Sequence, residues 1–306
     1  MISSVHLTSS GGSAHSPSAS VHRLESASFS LKSRLIPART HPLSASLLQT
    51  QKSPSSISGR ILQEQLHAAK ASGVLLDWNT GKVLAVEGRP HASTPGSAIK
   101  PFLLTYALKH GIVDANTRVY CRRTLHVAGR SLPCSHPNDQ PLLDAEDALA
   151  ASCNTWFASL AQRMTAQDLQ AALQQTGLPY STTHFDEPDD RILTVLGLEN
   201  VSTTPIQMAI AYRALFLHEA HTSVVWNGLR DSVAYGMANH ARIKGAGVLG
   251  KTGTASNPGE WWTHGWFAGG IPNRFVLVIY VPRGDGGIAA TLASHVFQHL
   301  LPEDAP

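Results

Sequence analysis

The sequence predicts a mixed α/β fold in which a helical lobe is inserted into a sheet. Two short apolar stretches, 73–77 and 82–86, flank an Asn-Thr-Gly turn and indicate a hairpin. An almost wholly apolar run at 275–281, rich in β-branched residues, is typical of a central strand. Since apolar residues between these strands follow helical spacing, the helices should lie between the first hairpin and the last strands.

A helix is predicted to follow the turn at Thr94-Pro95-Gly96. Its apolar residues recur at the spacing of one helix face: Ile99, Phe102, Leu103, Tyr106 and Ala107. Pro101 is compatible with a first helical turn, and His110-Gly111 is a typical C-terminal signal. Ser97 therefore lies at a helix N-terminus, with Lys100 about one turn further along.

Ser97 and Lys100 have the groups that nucleophilic catalysis requires. Because they are three residues apart on a helix, the hydroxyl and the amine share one face and can touch. A buried lysine near a second cation can lose its proton and act as the base for a serine hydroxyl. The helix N-terminus also offers free amides to a developing oxyanion. Taken alone, the same residues could be an N-cap serine and a solvated lysine.

Ser152-Cys153-Asn154 follows a helical stretch, 144–150, that has acids in its first turn. Asn154 is expected to cap the next helix, whose apolar residues are Trp156, Phe157, Leu160 and Ala161. Ser152 and Asn154 would then lie on a turn between two helices. There Ser152 could relay a proton and Asn154 could bind a substrate amide, although Asn154 could equally be only a cap.

Lys251-Thr252-Gly253-Thr254 opens a predicted β region that continues at 264–270. Lys251, Thr252 and Thr254 offer a cation and hydroxyls to a carboxylate. Gly253 would let a substrate backbone approach the edge of the strand closely. A last stretch of helical spacing, 288–301, completes the predicted elements.

In this order, Ser97-Ala98-Ile99-Lys100, Ser152-Cys153-Asn154 and Lys251-Thr252-Gly253 are typical of serine β-lactamases and penicillin-binding proteins. From about residue 71 to about residue 300 the chain resembles the transpeptidase domain of penicillin-binding proteins, closest to the class B kind. Further segments carry the resemblance: 95–102, 198–201, 204–209, 250–255, and His264 before Trp266-Phe267. The resemblance implies an antiparallel five-stranded sheet flanked by helices, with an inserted all-helical lobe.

The same resemblance implies a role for each motif residue. Ser97 is the acylated nucleophile, Lys100 its base and Ser152 the proton relay. Asn154 contacts a substrate amide, and the remaining substrate-binding residues are Lys251, Thr252, Gly253 and Thr254. The oxyanion would be bound by the backbone amides of Ser97 and Thr254. No cofactor is expected.

The implied function is a D-alanyl-D-alanine transpeptidase that cross-links peptidoglycan stem peptides and binds β-lactams, with cell-wall synthesis proteins as candidate partners. Two alternatives stay open: hydrolysis of the same acyl-enzyme, as a D,D-carboxypeptidase or β-lactamase, and a non-catalytic penicillin-sensing module. The complete motif set argues against the non-catalytic module. For a β-lactamase, Glu187 is the candidate deacylating base, but the Leu-Asn typical of the class A loop is missing, so a solvated loop acid is expected.

Residues 1–60 differ in composition from residues 61–306, which are predicted to form the transpeptidase domain. They are rich in serine, carry six Lys and Arg residues against the single acid Glu25, and show no periodicity, which predicts a disordered basic arm. Neither a secretory signal nor a membrane anchor is visible there. The resemblance nevertheless implies an extracytoplasmic location, because the substrate of the family lies outside the cytoplasmic membrane.

Histidine and cysteine patterns predict neither a metal site nor nucleic-acid binding. The 16 histidines are scattered without convincing ligand spacing, and the net charge of +3 comes largely from the arm. His264 is expected to be a structural strand residue and Cys153 a buried filler. Cys121 and Cys134 resemble a pair found in some class B proteins; their expected disulfide would add up to ~3 kcal/mol of stability.

Overall fold

A five-stranded antiparallel sheet forms the centre of the computed structural model, which describes residues 56–137 and 141–301. Its strands are β1 (Ser72–Asp77), β2 (Val83–Glu87), β7 (Leu249–Ala255), β8 (His264–Ile271) and β9 (Phe275–Val281). Their order across the sheet is β2-β1-β9-β8-β7, and every neighbouring pair is antiparallel. The predicted hairpin and the predicted central strand are both confirmed.

Strand β9 is covered on both faces, which explains its unbroken apolar sequence. Side chains alternate between the two faces of a strand. Leu277 and Ile279 accordingly pack with the first and last helices, whereas Val276, Val278 and Tyr280 belong to the larger core on the other side. A strand buried on both sides has no polar alternation, and this is the pattern that predicts 275–281 as central.

Helices between β2 and β7 form the inserted lobe, as predicted. The described helices are α1 (Ile57–Leu66), α2 (Lys100–Lys109), α3 (Ala145–Ala150), α4 (Asn154–Arg163), α5 (Ala166–Thr176), α6 (Pro188–Val195), α7 (Pro205–His218), α8 (Val224–Ala234) and α9 (Gly286–Leu300). Four short strands also lie in this lobe: β3 (Val119–Tyr120), β4 (Thr124–Val127), β5 (Arg130–Pro133) and β6 (Leu142–Leu143). Helix α7 begins at the segment 204–209 that carries the family resemblance, with Thr204 and Gln207 forming a capping box.

Helix α2 is buried more completely than its sequence predicts. The sequence predicts one apolar face, but every residue from Lys100 to Ala107 is buried, including the lysine. The reason is its central position, since α2 packs against α3, α5 and α8 within the lobe. A helix enclosed on all sides buries its polar residues as well, so periodicity alone underestimates its burial.

The first described helix begins before residue 60, the predicted end of the N-terminal arm. Helix α1 begins at Ile57, where the Ser56 hydroxyl accepts a hydrogen bond from the Gly59 amide, and its Leu62 and Leu66 are fully buried under the sheet. Serine is so frequent in this part of the sequence that Ser56 did not stand out as a helix cap. The rest of the predicted arm, 1–55, lies outside the described residues. Among the described helices, none is both long and apolar enough to cross a membrane.

Candidate active site

Ser97, Ser152 and Asn154 meet Thr252 and Thr254 along one groove of about 510 Å³. Ser97 lies in a 3₁₀ turn, Gly96–Ile99, that leads directly into α2. Ser152 and Asn154 lie at the junction of α3 and α4, and the two threonines lie on β7. Three segments that are far apart in sequence therefore meet at the place where the lobe contacts the edge of the sheet.

The turn that carries Ser97 is fixed on both sides by backbone contacts. The Thr94 carbonyl accepts hydrogen bonds from Trp266 Nε1 at 3.0 Å and His264 Nε2 at 2.8 Å. Gly96 has φ +53°, and a Cβ atom there would lie 2.6 Å from the Thr254 carbonyl oxygen, so only glycine fits. Ser97 itself is half-buried and faces the groove. The turn that carries Ser97 is thus held by rigid neighbours.

Lys100 contacts the second motif rather than Ser97. Its Nζ donates to the Ser152 carbonyl at 2.9 Å, to Asn154 Oδ1 at 2.9 Å and to Ser152 Oγ at 3.4 Å. Within the described part of the chain, no hydrogen bond joins Lys100 Nζ to Ser97, so the predicted direct contact is not seen. Complete burial lowers the pKa of Lys100 to about 8, although nearby Cys153 and Cys134 oppose the shift.

Asn154 is not the cap of α4. The N-cap position is occupied by Cys153, and Asn154 is the first helical residue. Its amide is used elsewhere, because Oδ1 accepts from Lys100 and Nδ2 donates to the Pro133 carbonyl at 3.0 Å. Ser152 has φ +55°, an unfavourable conformation for a non-glycine residue that these contacts hold in place. The turn is therefore built around the lysine.

Lys251 is fully buried beneath the groove, and its Nζ donates to the Thr252 carbonyl at 3.1 Å. Burial, reinforced by the positive charge of Lys100, lowers the pKa of Lys251 well below its usual value. Thr254 is exposed in the groove, where its hydroxyl accepts from the Gly286 amide at 2.9 Å.

Position 253 requires glycine for a different reason than the one predicted. A Cβ atom there would lie 2.2 Å from the Pro95 carbonyl oxygen and 3.1 Å from the Ala98 amide nitrogen. The close approach is thus to the turn that carries Ser97, not to a substrate. The strand β7 and this turn therefore pack directly against each other.

His264 and Glu187 both have the structural roles that the sequence predicts. His264 is fully buried on β8, and burial lowers its pKa; its Nε2 carries the hydrogen given to the Thr94 carbonyl, while Nδ1 has no partner in the described structure. Glu187 is exposed at the start of α6 and does not line the groove of Ser97. Neither residue is placed to act on a group bound to Ser97.

The sequence profile of the penicillin binding protein transpeptidase domain matches residues 71–300. The chain belongs to this family. Among curated protein sequences there is no significant match. The match covers all three motifs and all five strands of the sheet, so the transpeptidase domain identified from the motifs is confirmed as the family of the chain.

Solved structures of transpeptidase domains share its fold. The D,D-transpeptidase domain of a peptidoglycan glycosyltransferase from Eggerthella lenta has a TM-score of 0.69 at 20% identity, covering 79% of this chain and 80% of that one. The transpeptidase domain of penicillin-binding protein 3 from Burkholderia pseudomallei has a TM-score of 0.69 at 19% identity, with 79% and 93% coverage. A chain from a peptidoglycan synthase complex has a TM-score of 0.66 at 20% identity, with 78% and 60% coverage.

Cys121, Cys134 and Cys153 of this transpeptidase domain are all buried free thiols. The expected disulfide between Cys121 and Cys134 is therefore absent from the described structure. Both side chains point toward a third cysteine and a histidine: Cys134 Sγ lies 3.9 Å from Cys153 Sγ, and Cys121 Sγ lies 3.4 Å from His136 Nε2. Cys153 is buried as predicted, but it is part of this cluster rather than an isolated filler.

Sequence analysis missed Gly197, which supports the turn that carries Ser97. Its carbonyl oxygen accepts from the Gly96 amide at 2.9 Å. It has φ +72°, and a Cβ atom on it would lie 2.1 Å from the Gly96 carbonyl oxygen. The local signal was the Leu-Gly-Leu after α6, which by itself predicts only the end of a helix.

Substitution Gly197→Ala should displace the turn that carries Ser97. We expect it to lower the free energy of unfolding by about 2–4 kcal/mol, because it combines an unfavourable φ with overpacking against Gly96. Gly111→Ala is the matched control: φ is +66° there, but nothing lies within 4 Å of the added Cβ atom. Its loss should be about 1 kcal/mol. Equal losses in urea denaturation of the two variants would contradict the contact.

Proposed function

We propose that this domain is a serine D-alanyl-D-alanine transpeptidase that acts on peptidoglycan stem peptides through an acyl-enzyme on Ser97. The observation that carries the proposal is the groove, where Ser97 lies beside the buried network of Lys100, Ser152 and Asn154. Such a network can hold an uncharged lysine close to a hydroxyl that must lose its proton. A module that only binds its ligand has no need of this arrangement.

In the first half of the reaction, Ser97 Oγ attacks the carbonyl carbon between the two D-alanines. Its proton passes to neutral Lys100, either directly once substrate is bound or through Ser152 Oγ, which lies 3.4 Å from Lys100 Nζ. The negative oxygen is stabilised by the amides of Ser97 and Thr254. The proton then returns to the leaving amine, D-alanine departs, and the ester on Ser97 remains.

Substrate would lie along β7, with its terminal carboxylate at the hydroxyls of Thr252 and Thr254. Lys251 makes no direct contact there in the free protein, since its side chain is fully buried. A carboxylate bound above it would favour its charged form and gain from that charge. Asn154 Nδ2 would exchange its contact with the Pro133 carbonyl for a substrate carbonyl. A β-lactam presents a comparable carboxylate and strained amide, so we expect it to acylate Ser97 in the same way.

The second half of the reaction uses an amine of a neighbouring stem peptide as acceptor. A second cavity of about 740 Å³ shares Thr252 and Thr254 with the groove and is lined by the acids Asp147 and Asp285. This adjoining space and its negative charge suit an incoming ammonium group. Hydrolysis would need a base placed for water, and Glu187, the acid considered from sequence, lies outside the groove.

We further infer that the chain acts outside the cytoplasmic membrane, where stem peptides are cross-linked, and works with cell-wall synthesis proteins. The relative from a peptidoglycan synthase complex supports the second point, because that complex coordinates polymerisation and cross-linking. Fusing the chain to alkaline phosphatase in a bacterial host would test the location. Activity of the fusion indicates export, and its absence contradicts export.

The reaction can be tested with a stem pentapeptide analogue as donor and an amino acid amide as acceptor. Purified full-length chain should release D-alanine and form the acceptor-linked product, measured by mass spectrometry. Release of D-alanine with only the hydrolysed tetrapeptide would favour a D,D-carboxypeptidase. Rapid turnover of nitrocefin would favour a β-lactamase. Covalent labelling by penicillin without either product from the peptide would indicate a sensing module.

A further inference from the structure

Three cysteines and one histidine converge beside the groove in a way that the reaction does not explain. Cys121, Cys134, His136 and Cys153 are all buried, and their ligand atoms lie within 4.8 Å of one another. They come from three separate segments, after β3, after β5 and at the start of α4. Cys₃His is one of the ligand sets of structural zinc sites. We propose that these four residues form a tetrahedral site for Zn²⁺.

Two ligand-to-ligand distances within the cluster match the edges of a zinc tetrahedron, and all the others are within 4.8 Å. With Zn–S bonds of about 2.3 Å and Zn–N bonds of about 2.0 Å, two sulfurs should be ~3.8 Å apart and sulfur and nitrogen ~3.5 Å apart. The structure has 3.9 Å between Cys134 Sγ and Cys153 Sγ, and 3.4 Å between Cys121 Sγ and His136 Nε2. The side chains therefore need little movement to share one ion.

Surrounding groups already orient the ligands. His136 directs Nε2 toward the cysteines, while its Nδ1 lies 2.8 Å from the Pro137 carbonyl oxygen and 3.3 Å from Arg123 Nη1. Donation from Nδ1 to the nearer carbonyl leaves Nε2 free to bind a metal. The backbone amide of Arg123 donates to Cys121 Sγ at 3.4 Å. Thr155 Oγ1 lies 3.9 Å from the sulfurs of Cys121 and Cys134. Donors of this kind stabilise thiolates.

A disulfide accounts for the cluster less completely than a metal ion does. Any single disulfide uses two of the cysteines and leaves a third buried thiol and a buried imidazole. A zinc ion uses all four groups at once. A zinc ion would also neutralise two of the three thiolate charges. Without the ion, three thiolates buried together beside the fully buried Trp156 and Phe157 would be strongly unfavourable.

The proposed zinc site lies next to residues that line the groove. Cys153 lies between Ser152 and Asn154, and Cys134 follows Pro133, whose carbonyl accepts the amide hydrogen of Asn154. A metal ion that bonds to both cysteines would therefore fix the Ser152–Asn154 turn relative to the end of β5. The ion would be a positioning element for the groove and would touch no substrate.

Metal content provides the first test and does not depend on the proposed function. Full-length chain purified with a phosphine reductant and Zn²⁺, then desalted, should retain about one zinc per chain by plasma mass spectrometry. Replacing zinc with Co²⁺ should give thiolate-to-cobalt charge-transfer absorption and the intense visible bands of a tetrahedral site. Alkylation should modify none of the three cysteines in the loaded chain and all three after chelation.

Ligand variants provide the second test. His136→Ala should lower zinc affinity at least ~100-fold, because even loss of an outer partner costs 10- to 100-fold. His136→Cys should restore binding, since four cysteines are also a zinc ligand set. His126→Ala is the matched control, an exposed histidine on the neighbouring strand β4, and should keep full zinc content. If a variant folds poorly, the cobalt spectrum of the unaltered chain still tests the site.

Three results would overturn the site. One is a reduced, folded chain that retains no zinc and gives no tetrahedral cobalt spectrum. Another is a chain exported to the periplasm whose mass is lower by about 2 Da and whose peptides show a disulfide between two of the cysteines. The third is zinc content that is unchanged in His136→Ala.

Discussion

Replacing Ser97 with alanine is expected to abolish covalent labelling of the purified protein by a fluorescent penicillin. Labelling forms an ester between the opened lactam and the serine oxygen, and alanine has no oxygen to form it. The variant should fold normally, because Ser97 is half-buried and its hydroxyl makes no hydrogen bond among the described residues. The labelled band after gel electrophoresis should fall to background, while the melting temperature stays within about 2 °C.

Labelling at Ser97 must be distinguished from labelling at Ser93, a second serine nearby. No trypsin site separates Ser93 from Ser97, since neither Lys nor Arg lies between them. Ser93 is fully buried and hydrogen-bonded to the Tyr280 hydroxyl at 2.9 Å, so it is not expected to react. Ser202→Ala, which removes an exposed serine outside the groove, is the control and should label fully. Labelling that persists in Ser97→Ala would refute the assignment.

Sequence alone predicted the sheet and the groove residues because their signals are local. An unbroken apolar run marks a strand buried on both faces, and β9 is that strand. The turn before Ser97 and the apolar spacing after it place the serine at the start of α2. Ser97, Ser152, Asn154, Thr252 and Thr254 then meet in one groove, as the order of the three motifs predicts.

Partners that lie far away in sequence could not be predicted in this way. Spacing placed the Lys100 amine near Ser97, but burial directs it to Ser152 and Asn154, more than fifty residues later. Asn154 has a strong local preference for capping, and the contact with Lys100 overrides it. Gly253 was assigned to substrate approach, whereas its neighbour is Pro95. In each case a tertiary contact decides the role.

The cysteine cluster shows the same limit. Cys134 and His136 are two residues apart, but Cys121 and Cys153 lie 13 and 19 residues from Cys134, a spacing that matches no common zinc motif. Only the fold, which brings the end of β5 against the start of α4, makes them neighbours. The scattered histidines of the sequence therefore gave no reason to single out His136.

Substitution Lys100→Arg should slow acylation by penicillin about 100- to 10,000-fold, the usual contribution of a general base. Charge is kept, but a guanidinium stays protonated and cannot accept the proton of Ser97. Lys109→Arg is the matched control on the same helix, because Lys109 is exposed and its amine pairs with Glu219 at 3.8 Å. It should acylate at the normal rate. Stopped-flow measurement with a chromogenic β-lactam gives both rates.

The pH dependence of acylation distinguishes a base from a structural lysine. Burial lowers the pKa of Lys100 to about 8, and only the neutral amine accepts a proton, so the rate should rise with pH and reach half its maximum near pH 8. If Lys100 served only to hold Ser152 and Asn154, its charged form would be the useful one and the rate would fall as pH rises through the same range. Residual acylation in Lys100→Arg should lack the rise near pH 8. A profile that is unchanged in that variant would assign the titrating group to another residue and remove Lys100 from the base role.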